Sequence, residues 1–548
     1  MTTPNEQQIG WKAASSEGVV AAGGADAVAA GIKILEEGGN AADAAVATIF
    51  ALNITDHGDC SIGGEVPLLI YDAQNQEVKA LSGQGRAPLS QEAIDWYMEH
   101  GIPGGGDIKM APVPSVVDLC ITTLQRYGTV ALKDVLAPSL ALLDAGTETW
   151  HPKLAITLRR MNEEEEIAPG NREEKLQAAC DRFYGRNEYR NDIADDLESN
   201  YIEKGGFLRK ADLAAHVTTV EDPVMVEYRG YTVCKCGPWT QGPYLCQALR
   251  LLEGFDLKAM DQFSVDHIHV AAEAIKLAMA DRDEYYADPD FVEVPLKALL
   301  SDAYTDIRRP LIDMHSASLE ARPGDPHAME PLKGPGVFRP GVGGTTTCVV
   351  ADRWGNVVSA TPSANVPGEP RDGGRAGVTF GNRLRSLNTT RGHPNCIQPG
   401  KRPRITLTPT LVLKDGSPIM AISVAGGDLQ DQVTLNLLLN VIEFDMPPEK
   451  AVTSPRFATA HHQDSFDPSP DRIQTFRGPG SLTVNADLNE GVKKELSGRG
   501  HKLDVRASAI GAPVMLCINQ ESGEFHAAGD PKAHRHAAGL GKTQIPNS

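Results

Sequence analysis

Gly343-Gly344-Thr345-Thr346-Thr347-Cys348-Val349-Val350-Ala351-Asp352-Arg353-Trp354-Gly355-Asn356 is the stretch on which the reading of this chain turns. Its two glycines close a segment, residues 322–344, so crowded with Pro and Gly that it supports neither helix nor sheet and reads as a linker. Residues 345–360 then read as strand, turn and strand, with Val357-Val358-Ser359-Ala360 as the second strand. A linker therefore runs straight into a buried hairpin, with a hydroxyl residue at the junction. Threonine favours strands anyway, so three in a row carry little by themselves. The chemistry of the position singles out Thr345. If the 344–345 bond is broken, the new α-amine, with a reference pKa of about 7.7–8.0, sits beside its own hydroxyl, and one residue supplies both nucleophile and base. Gly343 and Gly344 give the backbone the freedom that attack on the preceding carbonyl requires.

Outward from this junction the chain alternates helical and strand-like blocks. Residues 25–50 are Ala-rich and helix-forming, interrupted by Gly38-Gly39-Asn40, which reads as a stop followed by a new start with Asn40 as N-cap. Two strands and a turn are expected within 65–82. The middle, 114–302, is mostly helical by periodicity, with a strand at 228–236 and a core helix at 267–286. Residues 408–413, Lys414-Asp415-Gly416 and 418–424 repeat the hairpin pattern, and 428–441 continues as an amphipathic helix. Hairpin-paired strands with helices grouped around them indicate α+β layering with antiparallel sheets.

The 548 residues are 41% hydrophobic and 23% charged, the composition of an ordinary globular chain with a large core. A formal charge of -20 argues against nucleic acid as a partner, because phosphate binding needs a positive surface. No segment approaches the roughly 18 to 20 continuous apolar residues that span a bilayer, and residues 1–14 lack the pattern of a secretory signal, so the expectation is a cytoplasmic protein with no membrane partner. Nine cysteines lack the paired spacing of a zinc site and read as structural thiols in a reducing compartment, with Cys234 and Cys236 on one face of a strand. His57, His461 and His462 have no accompanying carboxylates or cysteines at ligand spacing, and the adjacent pair reads as surface or subunit contact. No metal and no cofactor are expected.

Residues 345–356 resemble the start of the small subunit in the gamma-glutamyltranspeptidase family, and anchoring on Asp352, Gly355 and Asn356 without gaps puts Thr345 at the nucleophile position. The likeness continues at Pro399-Gly400-Lys401-Arg402-Pro403, Thr408-Pro409-Thr410, Lys414-Asp415-Gly416, Gly426-Gly427 and Ser454-Pro455-Arg456-Phe457. In the first part it runs through Gly38-Gly39-Asn40-Ala41-Ala42-Asp43-Ala44-Ala45, Ala272-Glu273-Ala274, Ala280-Asp281-Arg282 and Asp288-Pro289-Asp290-Phe291, so it covers most of the chain. The resemblance implies the four-layer αββα fold of N-terminal-nucleophile hydrolases, with two antiparallel sheets between helical layers. It also implies self-cleavage between Gly344 and Thr345 into a large subunit, 1–344, and a small catalytic subunit, 345–548, that share one composite fold. A homodimer of such heterodimers is the assembly to look for.

By position, the resemblance makes Ser363 the hydroxyl that assists the nucleophile, Asn365 a substrate contact, and Gly426 and Gly427 the glycines whose backbone N–H groups hold a developing oxyanion. Asp428 comes after that pair where the family has Ser or Thr. The glutamyl pocket departs further. Where the family's acidic residues hold an α-ammonium, this chain has Arg383, Arg385 and Ser386; the family's serine pair becomes Ile405 and Thr406; and its carboxylate-binding arginine becomes Gln84, with Arg86 and Arg404 nearby. Added arginines favour an anionic acyl group lacking an α-amine, because guanidinium pairs with carboxylate in two parallel bonds. The resulting expectation is a self-processing threonine amidohydrolase or acylase acting on a small amide with an acidic acyl portion. A gamma-glutamyltransferase or glutathione hydrolase is the alternative within the family, and a non-catalytic scaffold homologue is the alternative from another class.

Overall fold

The computed structural model describes residues 9–333, 345–364, 373–476 and 478–541. Among these residues, two seven-stranded antiparallel sheets stack face to face. The first runs His536–Gly539, Gly18–Ala22, Cys348–Asp352, Val357–Ala360, Leu68–Asp72, Glu77–Leu81, Val220–Glu221. The second runs Lys12–Ser15, Phe525–Gly529, Ala512–Ile518, Ser417–Ala425, Thr410–Lys414, Tyr231–Lys235, Val224–Tyr228. Both sheets draw strands from either side of residue 345.

The layering comes from strand periodicity. Successive side chains point to opposite faces, so a strand apolar at every position is buried on both. Val19, Ala21, Val349, Ala351 and Leu69 point inward and meet Ala421, Val514, Leu516 and Cys234 from the second sheet, while Val20, Val350 and Leu68 point outward into a helical layer. Cys236 joins Cys234 in the space between the sheets, as the alternation of that strand requires. Met420, Ile422 and Met515 face the opposite helical layer, built mainly on Pro243–Leu252, Val265–Tyr285 and Gln430–Ile442. The result is the expected helix, sheet, sheet, helix stack.

The helix Ala41–Thr55 lies under the first sheet and is buried on nearly all sides, which its apolar sequence permits. Asn40 caps it as expected: its side chain accepts from Asp43 N and the Asp43 carboxylate accepts from Asn40 N. Asp352, in the hairpin turn, reaches the same helix start and accepts from Ala41 N at 2.7 Å, while also holding Trp354 N and Asn356 N. The turn is thereby fixed both internally and to the helix behind it.

The strand Tyr231–Lys235 is legible in the sequence, but its hairpin partner Val224–Tyr228 is not, nor are the closing strands Ala512–Ile518, Phe525–Gly529 and His536–Gly539. One expectation is corrected. His461 and His462 are buried rather than at the surface, at 2% and 5% exposure. His461 Nδ1 accepts from Gly480 N and its Nε2 bonds the Glu320 carbonyl, so the neutral ring is a linker between backbone segments.

Candidate active site

The hairpin register puts the first two site residues together. Cys348 pairs with Ala360, and the same register carried past the strand ends sets Thr346 against Pro362, with Thr346 N donating to Pro362 O at 3.0 Å. Thr345 then faces Ser363, and the two Oγ atoms stand 3.3 Å apart. On the other side, Leu68 pairs with Ala360, and that register continues to a bridge between Glu65 and Ser363, each N donating to the other's carbonyl at 2.9 Å. Thr345, Ser363 and Glu65 therefore form a row across three neighbouring chain segments at one end of the first sheet. Close approach there requires glycine: a Cβ on Gly64 would fall 2.1 Å from the Ser363 carbonyl oxygen.

The short helical turn Arg383–Ser386 closes over this row, positioned by Gly381 N on Gly63 O and Asn382 N on Ala364 O. Arg383 is fully buried; its Nε donates to Glu65 at 2.5 Å and its Nη2 to Ser363 Oγ at 2.8 Å. Burial pushes the Glu65 carboxyl upward, opposed by the Arg383 charge. Arg385 lies over the Phe466 ring, 4.5 Å from its centroid. Burial, and then the charge of Arg383, draws Arg385 down to about 10.

The second sheet supplies the opposite wall. Ser359 Oγ donates to Ile422 O, and Ser423 Oγ to Ala360 O, so strand Ser417–Ala425 is bolted to the hairpin directly below the site. That strand ends at Gly426 and Gly427, with φ of +146° and +61°, a path that favours glycine. A Cβ on Gly427 would come 2.9 Å from Phe466. Gln430 opens the next helix and lies 3.5 Å from Thr345 Oγ1. Its amide is best satisfied with nitrogen toward Val424 O and Thr406 O, which leaves its oxygen toward the Thr345 hydroxyl.

Asp428 does not point a free charge at the glycine turn. Its carboxylate is held by Arg282 at 2.5 Å and by the hydroxyl and N–H of Ser465. Burial would raise its pKa, but Arg282, then His462 and Arg404, outweigh that and keep it below the usual carboxylate range. Arg282 also donates to Gln241 Oε1 at 2.7 Å, and Gln241 Nε2 reaches the Gly427 carbonyl at 3.4 Å, so the pair braces the turn from behind.

Of the other residues singled out in the sequence, Arg404 donates to Ser465 Oγ at 2.8 Å and takes its place in the Asp428 network. Ser386, Thr406 and Gln84 are buried, with Ser386 Oγ, Thr406 Oγ1 and Gln84 Oε1 lacking partners. Arg86 is held in a carboxylate cluster, 3.1 Å from Asp290 and 3.9 Å from Asp288, and also donates to Gly400 O. Gly344 and Asn365 lie outside the described residues. Thr346 and Thr347 are buried, and the Thr346 hydroxyl donates to Asp56 at 2.6 Å.

Sequence reasoning missed Glu65, Phe466, Gln430, Arg282 and Ser465. Arg282 carried a signal, the Ala280-Asp281-Arg282 match, but it was absorbed into a core helix. Glu65 offered only an acid after two glycines, and its partner is 318 residues away.

The sequence profile of the gamma-glutamyltranspeptidase family matches residues 27–180 and 142–540. The glutathione hydrolase proenzyme of Bacillus subtilis strain 168 is 28% identical over 563 aligned residues, 96% of this chain and 92% of that one. The acylase ACY 1 proenzyme of Pseudomonas sp. strain SE83 is 30% identical, over 93% and 91%. The crystal structure of a cephalosporin acylase from Bacillus halodurans superposes with a TM-score of 0.80 at 25% identity, covering 99% of each chain. Sequence, fold and relatives agree: the chain belongs to the gamma-glutamyltranspeptidase family and is an N-terminal-nucleophile hydrolase, an enzyme acting on amide bonds.

Proposed function

We propose that this protein is a self-processing threonine acylase that removes an anionic acyl group from a small amide. The observation that carries the reading is the buried Thr345 hydroxyl, 3.3 Å from Ser363 Oγ, at a strand end where Arg383 and Arg385 gather and the neighbouring carboxylate, Glu65, is taken up by Arg383. In the first reaction the Thr345 Oγ attacks the Gly344 carbonyl, the peptide rearranges to an ester, and water releases residues 1–344 with a new amine on Thr345. In the second, that amine takes the Oγ proton as Oγ attacks the substrate carbonyl. The oxyanion is received by backbone N–H groups at Gly426 and Gly427, which carry no side chain of their own to hold it off. Collapse expels the amine, which takes the proton from the Thr345 ammonium, and water then resolves the ester. The two pieces stay together, since both sheets contain strands from each.

A cytoplasmic setting is supported by the nine cysteines, seven of them buried, with none paired in a disulfide among the described residues. Among the described residues, no helix is long and apolar enough to cross a membrane.

The test is intact mass of wild type and Thr345→Ala, followed by hydrolysis of glutaryl, succinyl and oxalyl amides beside γ-glutamyl amides. Two fragments, 1–344 and 345–548, from wild type and one uncut chain from the variant are expected, with faster turnover of the amine-free acyl groups. An uncut wild-type chain refutes the mechanism, and preference for γ-glutamyl amides moves the assignment to glutathione hydrolase.

A further inference from the structure

The two arginines at the end of the first sheet are unequally engaged. Arg383 is matched in charge by Glu65 and donates a second N–H to Ser363. That N–H occupies one lone pair of Ser363 Oγ, which stands 3.3 Å from the Thr345 hydroxyl. Arg385 has no such engagement. Its Nε and Nη2 are shielded from solvent and make no hydrogen bond, and its guanidinium forms no ion pair with any described carboxylate. It lies over Phe466, closer to that ring than Arg383 does, at 4.5 Å against 5.2 Å.

Asp464 and Glu65 lie close enough to favour its charge, but its Nε–H and Nη2–H bonds are left unmade, and a shielded cation in that state is unfavourable in a way that a hydrogen-bonding anion relieves. The next residue of the same turn shares this condition: Ser386 Oγ is also buried without a partner. Phe466 ties this cation to the reacting centre, since its ring rests against Gly427 on one side and the arginine turn on the other.

We propose that Arg385, laid on Phe466, is the group that receives the carboxylate of the acyl moiety, whereas Arg383, neutralised by Glu65, is a positioning residue that orients Ser363. The inference rests on the acylase reading above and sharpens its substrate class to monoamides of dicarboxylic acids. The free carboxylate forms paired N–H bonds with Arg385 while the amide carbonyl lies at Thr345 Oγ. A substrate with an α-ammonium is disfavoured, because two guanidinium groups occupy the place a carboxylate would need to fill.

The experiment compares kcat/KM of the processed enzyme for glutaric acid mono-4-nitroanilide and for its methyl ester, in wild type, Arg385→Met, Arg385→Lys and Phe466→Leu. A hydrogen-bonded charge of this kind discriminates on the order of 50-fold, so wild type is expected to prefer the acid by about that factor. Arg385→Met is expected to bring the ratio near unity, and Arg385→Lys and Phe466→Leu to leave it in between. In parallel, glutarate should raise the thermal midpoint of wild type and not that of Arg385→Met. Should Arg385→Met fail to fold, the ratio in Arg385→Lys decides: a ratio equal to wild type overturns the proposal. So does a folded Arg385→Met that keeps the acid preference. These outcomes leave the acylase reading standing if wild type still processes and hydrolyses amides, whereas an uncut or amide-inert wild type removes that reading and this inference with it.

Discussion

Thr345 and Ser363 face each other because a single hairpin register, closed by the Asp352–Asn356 turn, runs unbroken past the strand ends to bring their Oγ atoms within 3.3 Å. A one-residue slip would turn every side chain to the other face, so the turn and the site are one design. The same register gives the neighbouring Thr346 a different fate. Its hydroxyl is taken by Asp56.

Thr346→Ala is therefore expected to cleave and to turn over substrate, while losing about 1.5–3 kcal/mol of stability for a hydrogen bond to a charged group. Intact mass and urea denaturation of the same preparation check both halves. An uncut Thr346→Ala chain would move the nucleophile assignment by one residue.

Asp428→Asn tests the bracing of the glycine turn. Arg282 is fully buried and keeps Asp283, 2.7 Å away, when the second carboxylate is lost. The expected loss of stability is therefore at or below the low end of the roughly 3–5 kcal/mol seen when a buried pair is broken. Because Arg282 also holds Gln241, which reaches the Gly427 carbonyl, kcat should fall by more than KM rises. Calorimetry and steady-state kinetics measure the two effects. Unchanged kcat in a destabilised variant would make Asp428 purely structural.

Acid should unfold this protein through its buried histidines, and His267 is the simplest case. It is 1% exposed, accepts from Phe263 N, leaves Nε2 without a partner, and burial alone lowers it from 6.5 to about 4. In this window the unfolded chain binds a proton that the folded one refuses. Stability is thus complete above pH 6.5 and falls as pH drops from 6.5 toward 4, by about 3 kcal/mol at 1.36 kcal/mol per pH unit. Denaturation midpoints from pH 7 to 4 should show a shallower decline in His267→Phe than in wild type. Parallel curves would mean that His267 takes up its proton without unfolding.

Much of the frame is local and could be read directly. Asn40 with Asp43 is a capping box visible in four residues, the Asp352–Asn356 turn fixes its own hairpin, and strands apolar at every position announce a layer on each face. The closing strands near the C-terminus were not legible, because His536–Gly539 and Phe525–Gly529 are short and small-residue-rich and become strands by pairing with Gly18–Ala22 and Lys12–Ser15, more than 500 residues away. The site divides in the same way. By itself the sequence determined the hairpin, the glycine turn and the hydroxyl at the strand end, since each depends on neighbours within a few residues. Only the tertiary structure decided which arginine is neutralised by Glu65, which is left on Phe466, and where Asp428 points, because a charge takes its meaning from the partners that folding brings within hydrogen-bond distance.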